Sequence, residues 1–317
     1  MALVGRGLFS TYVDPLTVFY KQFGKNKLAW SQKLTREYGK KVVVCGGSSC
    51  AHSIMGLRLL QQHGLPTVNM GLMMPDGATM LLTFALGELR PGDTLVIGIE
   101  PKLLTAPYEM HSSACILGCA LGHPAWPYQP WETPFAPYLG SALRCHTGWR
   151  CLLLIPSNYR NAVNNNHSSI LDTDASGWQT TTFRLDHYSS IQPYDGKLSE
   201  DSKTLLWWVR QWCERNGVRV AYSLPWGFQE ADTAAQTRKI NCAILKEIAA
   251  ILPVFKDTRV GVCTDSSQFT DTAYHLDAET AAVRTDELAR QIKNWEVWGP
   301  GELEAWEQAH LGSEQRR

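Results

Sequence analysis

The chain has no excess of either charge: thirty Lys and Arg balance thirty Asp and Glu over 317 residues. That balance removes the electrostatic reason to expect nucleic acid or an anionic membrane as partner. No stretch reaches the roughly 18–20 consecutive apolar residues a spanning helix needs. The first residues, Met1 to Phe9, lack a secretory h-region and a small-residue cleavage site, and Arg6 and Asp14 interrupt what apolar character there is. The expectation is a cytoplasmic protein, or one of the cell envelope if a leader or anchor lies outside this chain. There is no Cys-x-x-Cys pair and no Cys/His array with zinc spacing, so no metal site is expected. Neither a G-x-G-x-x-G fingerprint nor a lysine-bearing P-loop is present, which weakens nucleotide binding as a function. No diffusible cofactor is implied. Internal repeats and low-complexity linkers are also missing. The cysteine count is odd, nine, and the positions are scattered, so they read as reduced core thiols rather than a disulfide framework.

What is present is an alternation of short β-branched runs and helical patterns. Strands are expected at 42–45, 67–69, 94–99, 151–155, 218–223 and 260–263. Helical patterns run from 54 to about 63, stopped by Gly64 and Pro66, and from Asp76 as N-cap to about 89. Others run over 199–216 to Gly217, over 232–252 with Asp232 as N-cap, and over 277–295, with a short helix after Pro300-Gly301. This order predicts an α/β fold: a doubly wound, flavodoxin-like, mostly parallel five-stranded sheet with helices on both faces and long loop insertions. One principal domain is expected over 41–295, with an N-terminal extension over 1–40, where 28–38 is helix-compatible, and a tail over 296–317. Prolines among Trp126, Tyr128 and Trp131 mark an irregular insertion at 107–140, and 156–200 reads as a second. Trp208 and Trp212 have core spacing on one helix. Trp126, Trp131 and Trp178 lie in irregular segments, where they either pack under loops or stack on a sugar or acyl group. The run 164–167 is a solvated loop or a polar-substrate contact.

Four loops follow strand ends, where ligands bind in open α/β sheets. They are Gly46-Gly47-Ser48-Ser49, Asn69-Met70-Gly71, Glu100-Pro101, and the segment from Asp265 through Asp271 and His275. A serine at a tight strand-to-helix turn is presented as a nucleophile, and the amides of the turn can hold an oxyanion. Serine needs a base to take its proton, and histidine, with an unperturbed pKa of about 6.5, can do so near neutrality. A carboxylate orients that histidine, and Asp271 lies four residues before His275, on one face if the segment is helical or tightly turned. Ser48 follows two glycines and is the preferred nucleophile. Ser49 is the rival and otherwise caps the following helix. His52, four after Ser48, is either a pocket residue or an exposed first-turn histidine. Asn69 and Glu100 are further pocket candidates.

In these residues the chain resembles the SGNH/GDSL hydrolase superfamily, nearest its divergent branch of envelope polysaccharide O-acetylation and teichoic-acid D-alanylation proteins. The similar blocks are Val44-Cys45-Gly46-Gly47-Ser48-Ser49, Val68-Asn69-Met70-Gly71, and Phe269 to Leu276 followed by Ala281-Ala282-Val283-Arg284-Thr285 and Leu288. They cover about a third of the chain. The resemblance implies Ser48 as nucleophile, His275 as base, Asp271 as its partner, and the Ser48 and Gly71 amides as oxyanion donors. The third block departs from the family: its strand ends Ile97-Gly98-Ile99-Glu100-Pro101, without the usual asparagine. The acid–base spacing is also one residue longer than the common Asp-x-x-His. The expected function is a serine esterase or O-acyltransferase acting on a small-molecule ester or an acylated carbohydrate. The alternative is a binding or assembly protein that keeps the fold with little or no catalysis.

Overall fold

The computed structural model describes residues 15–109, 112–123, 126–128, 173–179, 190–191 and 193–311. Helix α1 (Pro15–Tyr38) precedes strand β1 (Val42–Gly46), helices α2 (Ser48–Ser53) and α3 (Gly56–His63), strand β2 (Thr67–Asn69) and helix α4 (Gly77–Leu86). Strand β3 (Thr94–Gly98) is followed by α5 (Pro101–Thr105) and α6 (Ser112–Ala120). Helix α7 (Glu200–Arg215) leads into strand β4 (Arg219–Tyr222) and the short strand β5 (Gly227–Phe228). Helix α8 (Ala234–Ala249), strand β6 (Val262–Cys263), α9 (Ala278–Asn294) and α10 (Glu302–Leu311) complete the order.

Strands β1 to β4 form one parallel sheet in the order β2-β1-β3-β4. Their sequences are apolar runs rather than alternations because both faces are covered. Val43, Cys45, Leu95 and Ile97 face the larger core, built with α1, α4, α7 and α8. Val42, Val44, Val96 and Ala221 face the smaller one, where Cys50, Ile54, Leu59, Leu288, Ala289 and Ile292 close the sheet. The expected strand at 260–263 shrinks to Val262–Cys263, which pairs in parallel with β5 in a separate two-stranded sheet. Among the described residues, the main sheet continues beyond β4 as a single parallel bridge between Tyr222 and Val254. Two backbone bonds make this contact, from the Tyr222 N–H to the Pro253 carbonyl and from the Phe255 N–H to the Tyr222 carbonyl, each 2.8 Å, shorter than the ladder a fifth strand would make.

Several local expectations shift for identifiable reasons. The helix expected from 54 to 63 is two helices, with α2 starting at Ser48 and ending where Ile54 and Met55 turn extended. Thr233, not Asp232, precedes α8, and its side chain makes no capping bond. Ser199 and Asp277 do cap their helices, accepting from the backbone N–H of Ser202 and Thr280. The N-terminal segment is part of the core: Phe23 and Leu34 of α1 are buried in it, as is Leu303 of α10. Trp208 and Trp212 pack against that core while Trp207 is half exposed. Six described cysteines, at positions 45, 50, 115, 213, 242 and 263, are buried free thiols. The candidate strand at 151–155, Trp131 and the run 164–167 lie outside the described residues. Among those described, no helix is long and apolar enough to cross a membrane.

Before the two central strands, Asp93 ties the segment leading into β1 to its own turn ahead of β3. Its carboxylate accepts from the Lys41 N–H (2.8 Å), the Lys41 ammonium (2.9 Å) and the Arg90 N–H (2.9 Å). Lys41 and Asp93 side chains are each 1% exposed. Removing one partner of such a buried pair strands the other charge in a low-dielectric interior. Asp93→Ala is therefore expected to lower the unfolding free energy by about 3–5 kcal/mol in urea titrations. Lys203→Ala, which breaks an exposed pair with Glu200, should cost less than about 1 kcal/mol.

Candidate active site

Strand β1 ends at Gly46, Gly47 is the N-cap of α2, and Ser48 is its first residue. A Cβ on Gly47 would lie 2.4 Å from Glu100 Oε1, so only glycine lets that carboxylate approach the turn. Glu100 is wholly buried at the end of β3 and accepts from the Ser49 N–H at 3.2 Å. Burial raises its pKa, while the amides of Ser49 and Gly47 work against that rise. An internal carboxylate thus holds part of the amide cradle that the turn offers to an anion. Ser49 is buried beneath it and caps nothing, because Gly47 occupies the N-cap position. Ser48 is the half-buried serine of the pair.

Asn69 is not a pocket wall. It is fully buried at the end of β2, and its amide donates to the carbonyls of Cys50 (2.8 Å) and Ile54 (2.7 Å), bracing the end of α2. Its side-chain oxygen accepts the Gly71 N–H at 2.9 Å. Gly71, expected as an oxyanion donor, therefore already has an acceptor. Its lack of a side chain serves close approach, since a Cβ there would lie 2.5 Å from the Ala51 nitrogen.

Asp271 and His275 meet as the spacing predicts, but in a tight turn rather than a helix. Phe269 and Leu276 bridge antiparallel, and the Thr270 N–H bonds the His275 carbonyl at 2.9 Å. This closes the loop and brings His275 Nδ1 to 2.7 Å from Asp271 Oδ1. Thr270 Oγ1 donates to the same carboxylate oxygen at 3.1 Å. Burial alone would raise the Asp271 pKa; the His275 hydrogen bond and charge, with the Thr270 hydroxyl, outweigh it and hold the carboxyl below its usual range. Asp271 is thus an anion at neutral pH, able to orient the ring and stabilise an imidazolium.

The link between this dyad and the serine turn is His52. One helical turn after Ser48 on α2, it stacks on His275 with ring centroids 3.9 Å apart and planes at 23°. Ser48 and His52 share a face of α2 by their i,i+4 spacing. His52 is 8% exposed, not an exposed first-turn residue. Among the described residues no hydrogen bond joins Ser48 Oγ to either imidazole. Such bonds are often long without substrate and tighten in the reacting complex.

Residues that the sequence did not single out hold this arrangement. Lys27 of α1 is fully buried, and its ammonium donates to the carbonyls of Asn69 (2.7 Å) and Gly177 (2.8 Å). Burial pulls its pKa down to about 7, against the charge of Asp174. It clamps segment 173–179 to the end of β2. Gln179 then bonds the Ala51 carbonyl (2.8 Å) and the Trp178 indole bonds the His52 carbonyl (2.9 Å). On the other side, Thr285 of α9 accepts the Met55 N–H at 3.0 Å and sets the junction of α2 and α3. Only the position of Thr285 within a family-like block could have marked it; nothing in the pattern of α1 distinguishes Lys27 from a surface lysine. Trp126 is engaged elsewhere, stacked on His123 at 3.9 Å and tilted against Phe84. Among the described residues no group of three His, Cys, Asp or Glu side chains is arranged to hold a metal ion.

Comparison of the chain with protein-family models, with curated proteins and with solved structures finds no match.

The buried histidine makes stability pH-dependent. Burial first, and the neighbouring His275 second, lower the His52 pKa to about 3. The unfolded chain, with a histidine pKa of about 6.5, then binds the proton more readily. The stabilising contribution is complete above that value and is lost as pH falls toward the folded pKa. Urea titrations at pH 7.5 and 4.5 should differ by roughly 2–3 kcal/mol more in the wild type than in His52→Phe.

Proposed function

We propose that this chain is a serine esterase or O-acyltransferase of the SGNH type, with Ser48, His275 and Asp271 as its triad. The observation that carries the reading is the His275–Asp271 bond of 2.7 Å in a turn whose histidine stacks on the helix that begins at Ser48. The strand order β2-β1-β3-β4 supports a doubly wound, flavodoxin-like sheet, with the Tyr222–Val254 bridge as the remnant of a fifth strand.

In this reaction Ser48 Oγ attacks the carbonyl carbon of an ester while His275 Nε2 takes the hydroxyl proton. Asp271 keeps the Nδ1 proton in place and stabilises the imidazolium. The carbonyl oxygen becomes an oxyanion held by the Ser48 amide; Gly71 contributes by exchanging its bond to Asn69. When the tetrahedral species collapses, the C–O bond to the alcohol breaks and His275 returns its proton to the leaving oxygen. The acyl-Ser48 ester is then cleaved by water, giving hydrolysis, or by a sugar hydroxyl, giving transfer, with His275 as base again. A small-molecule ester or an acylated carbohydrate is the substrate class.

A second reading is favoured by Glu100. A buried carboxylate on the serine turn, where the superfamily has a neutral asparagine donor, opposes an oxyanion, and one lost donor costs about 10²–10³ in rate. That suits a binding or assembly protein on the same fold. A fluorophosphonate probe separates the two. Labelling is expected in the wild type, none in Ser48→Ala, unchanged labelling in Ser49→Ala, and a rate reduced about 10²–10⁴-fold in His275→Ala. An unlabelled wild type favours the binding protein, and labelling that survives Ser48→Ala removes Ser48 from its role.

A further inference from the structure

His52 occupies a place that its sequence position does not explain. A polar side chain on the first turns of a short helix is ordinarily solvated, yet this one is buried against the ring of the candidate base. The stack covers one face of His275, while Asp271 fixes its edge through Nδ1. A hydrogen bond to Nδ1 alone leaves the imidazole free to swing about that contact. A flat ring packed at 3.9 Å removes that freedom, leaving Nε2 one direction to point.

We infer that His52 is a positioning residue for His275, holding the plane of the base by stacking. The inference rests on the reading of Ser48 and His275 above. His52 is anchored from two sides. The Gln179 N–H bonds the carbonyl of the preceding Ala51 at 2.8 Å, and the His52 carbonyl accepts the Trp178 indole N–H at 2.9 Å. Segment 173–179 is in turn clamped by Lys27 to the Asn69 carbonyl. The orientation of the base is thereby tied to α1, some two hundred and fifty residues away in the sequence.

The charged and titratable groups around His52 agree with an uncharged ring. His275 and Asp271 face it from the 269–276 turn and Lys27 acts from α1; His275 and Lys27 oppose a second positive charge, and Asp271 favours one. The Asp271 carboxylate lies 2.7 Å from His275 Nδ1. When His275 takes the serine proton, the neutral His52 ring offers the imidazolium a π face instead of a like charge.

The test uses the full chain and two readouts. Long-range proton–nitrogen NMR of the wild type should show the carbon-bound ring protons of His275 shifted upfield by the His52 ring, and a low-field Nδ1 proton from the bond to Asp271. It should show no titration of His52 down to pH 4.5. His52→Phe keeps a flat ring and is expected to retain the Nδ1 signal and nearly the wild-type rate of fluorophosphonate labelling. His52→Ala should broaden the Nδ1 signal and slow labelling by up to about 10²-fold through the maximal rate, with probe affinity unchanged. Absence of the ring-current shift in the wild type overturns the inference even if the alanine variant does not fold. So does an alanine variant with wild-type signal and rate, or a phenylalanine variant as impaired as alanine. A wild type that shows the NMR signature but takes no label leaves the positioning intact and rejects the serine reading instead.

Discussion

The arrangement depends on one buried amide. Asn69, at the end of β2, satisfies every polar group it carries within the protein: its NH₂ goes to Cys50 and Ile54, its oxygen to Gly71, its N–H to Ser176 and its carbonyl to Lys27. The bonds reach the end of α2, the loop after β2, segment 173–179 and α1. A fully satisfied polar hub of this kind specifies one geometry, because any shift leaves a donor or acceptor unpaired in a dry interior. The same residue that sets the pitch of α2 under Ser48 also receives the lysine that anchors segment 173–179. The serine turn, the loop behind His52 and the middle of α1 are therefore one mechanical unit.

Two electrostatic choices are built around that unit. Asp271 remains an anion because His275 and Thr270 hydrogen-bond it, which would suit His275 in the proposed role of base. Glu100 is drawn to the opposite side of the serine turn, where burial opposes its ionisation and the turn amides favour it. The first arrangement is the one the proposed acyl transfer would use. The second takes up N–H groups that would otherwise face an oxyanion. Catalysis and simple binding differ here by which amides remain available, not by the fold.

The outline of the fold was legible because it rests on local patterns. The run 42–45 is apolar on both faces, and Gly64, Gly217 and the helix starts at 199 and 277 are short-range signals that appear near their expected places, whereas Asp76 and Asp232, expected as N-caps, make no capping bond. The misplacements of strand pairing and burial were of the long-range kind. Nothing local tells Val262–Cys263 to pair with Gly227–Phe228 rather than extend the main sheet. Nothing in α1 sets Lys27 apart from its solvated neighbours, because its burial is a property of the segments packed over it.

The sequence by itself determined the chemistry on offer: a serine after two glycines at a strand end, and an aspartate four residues before a histidine. Residue type and short spacing decide these, and they held through different local geometry, a closed turn where a helix served equally well. Only the tertiary structure decided how those groups are held and which are free. Stacking of His52 on His275, capture of the Gly71 amide by Asn69, and insertion of Glu100 into the serine turn join residues separated by 223, 2 and 51 positions. Their energies come from burial and from competition for a few hydrogen-bond donors, which exist only once the chain has closed around them.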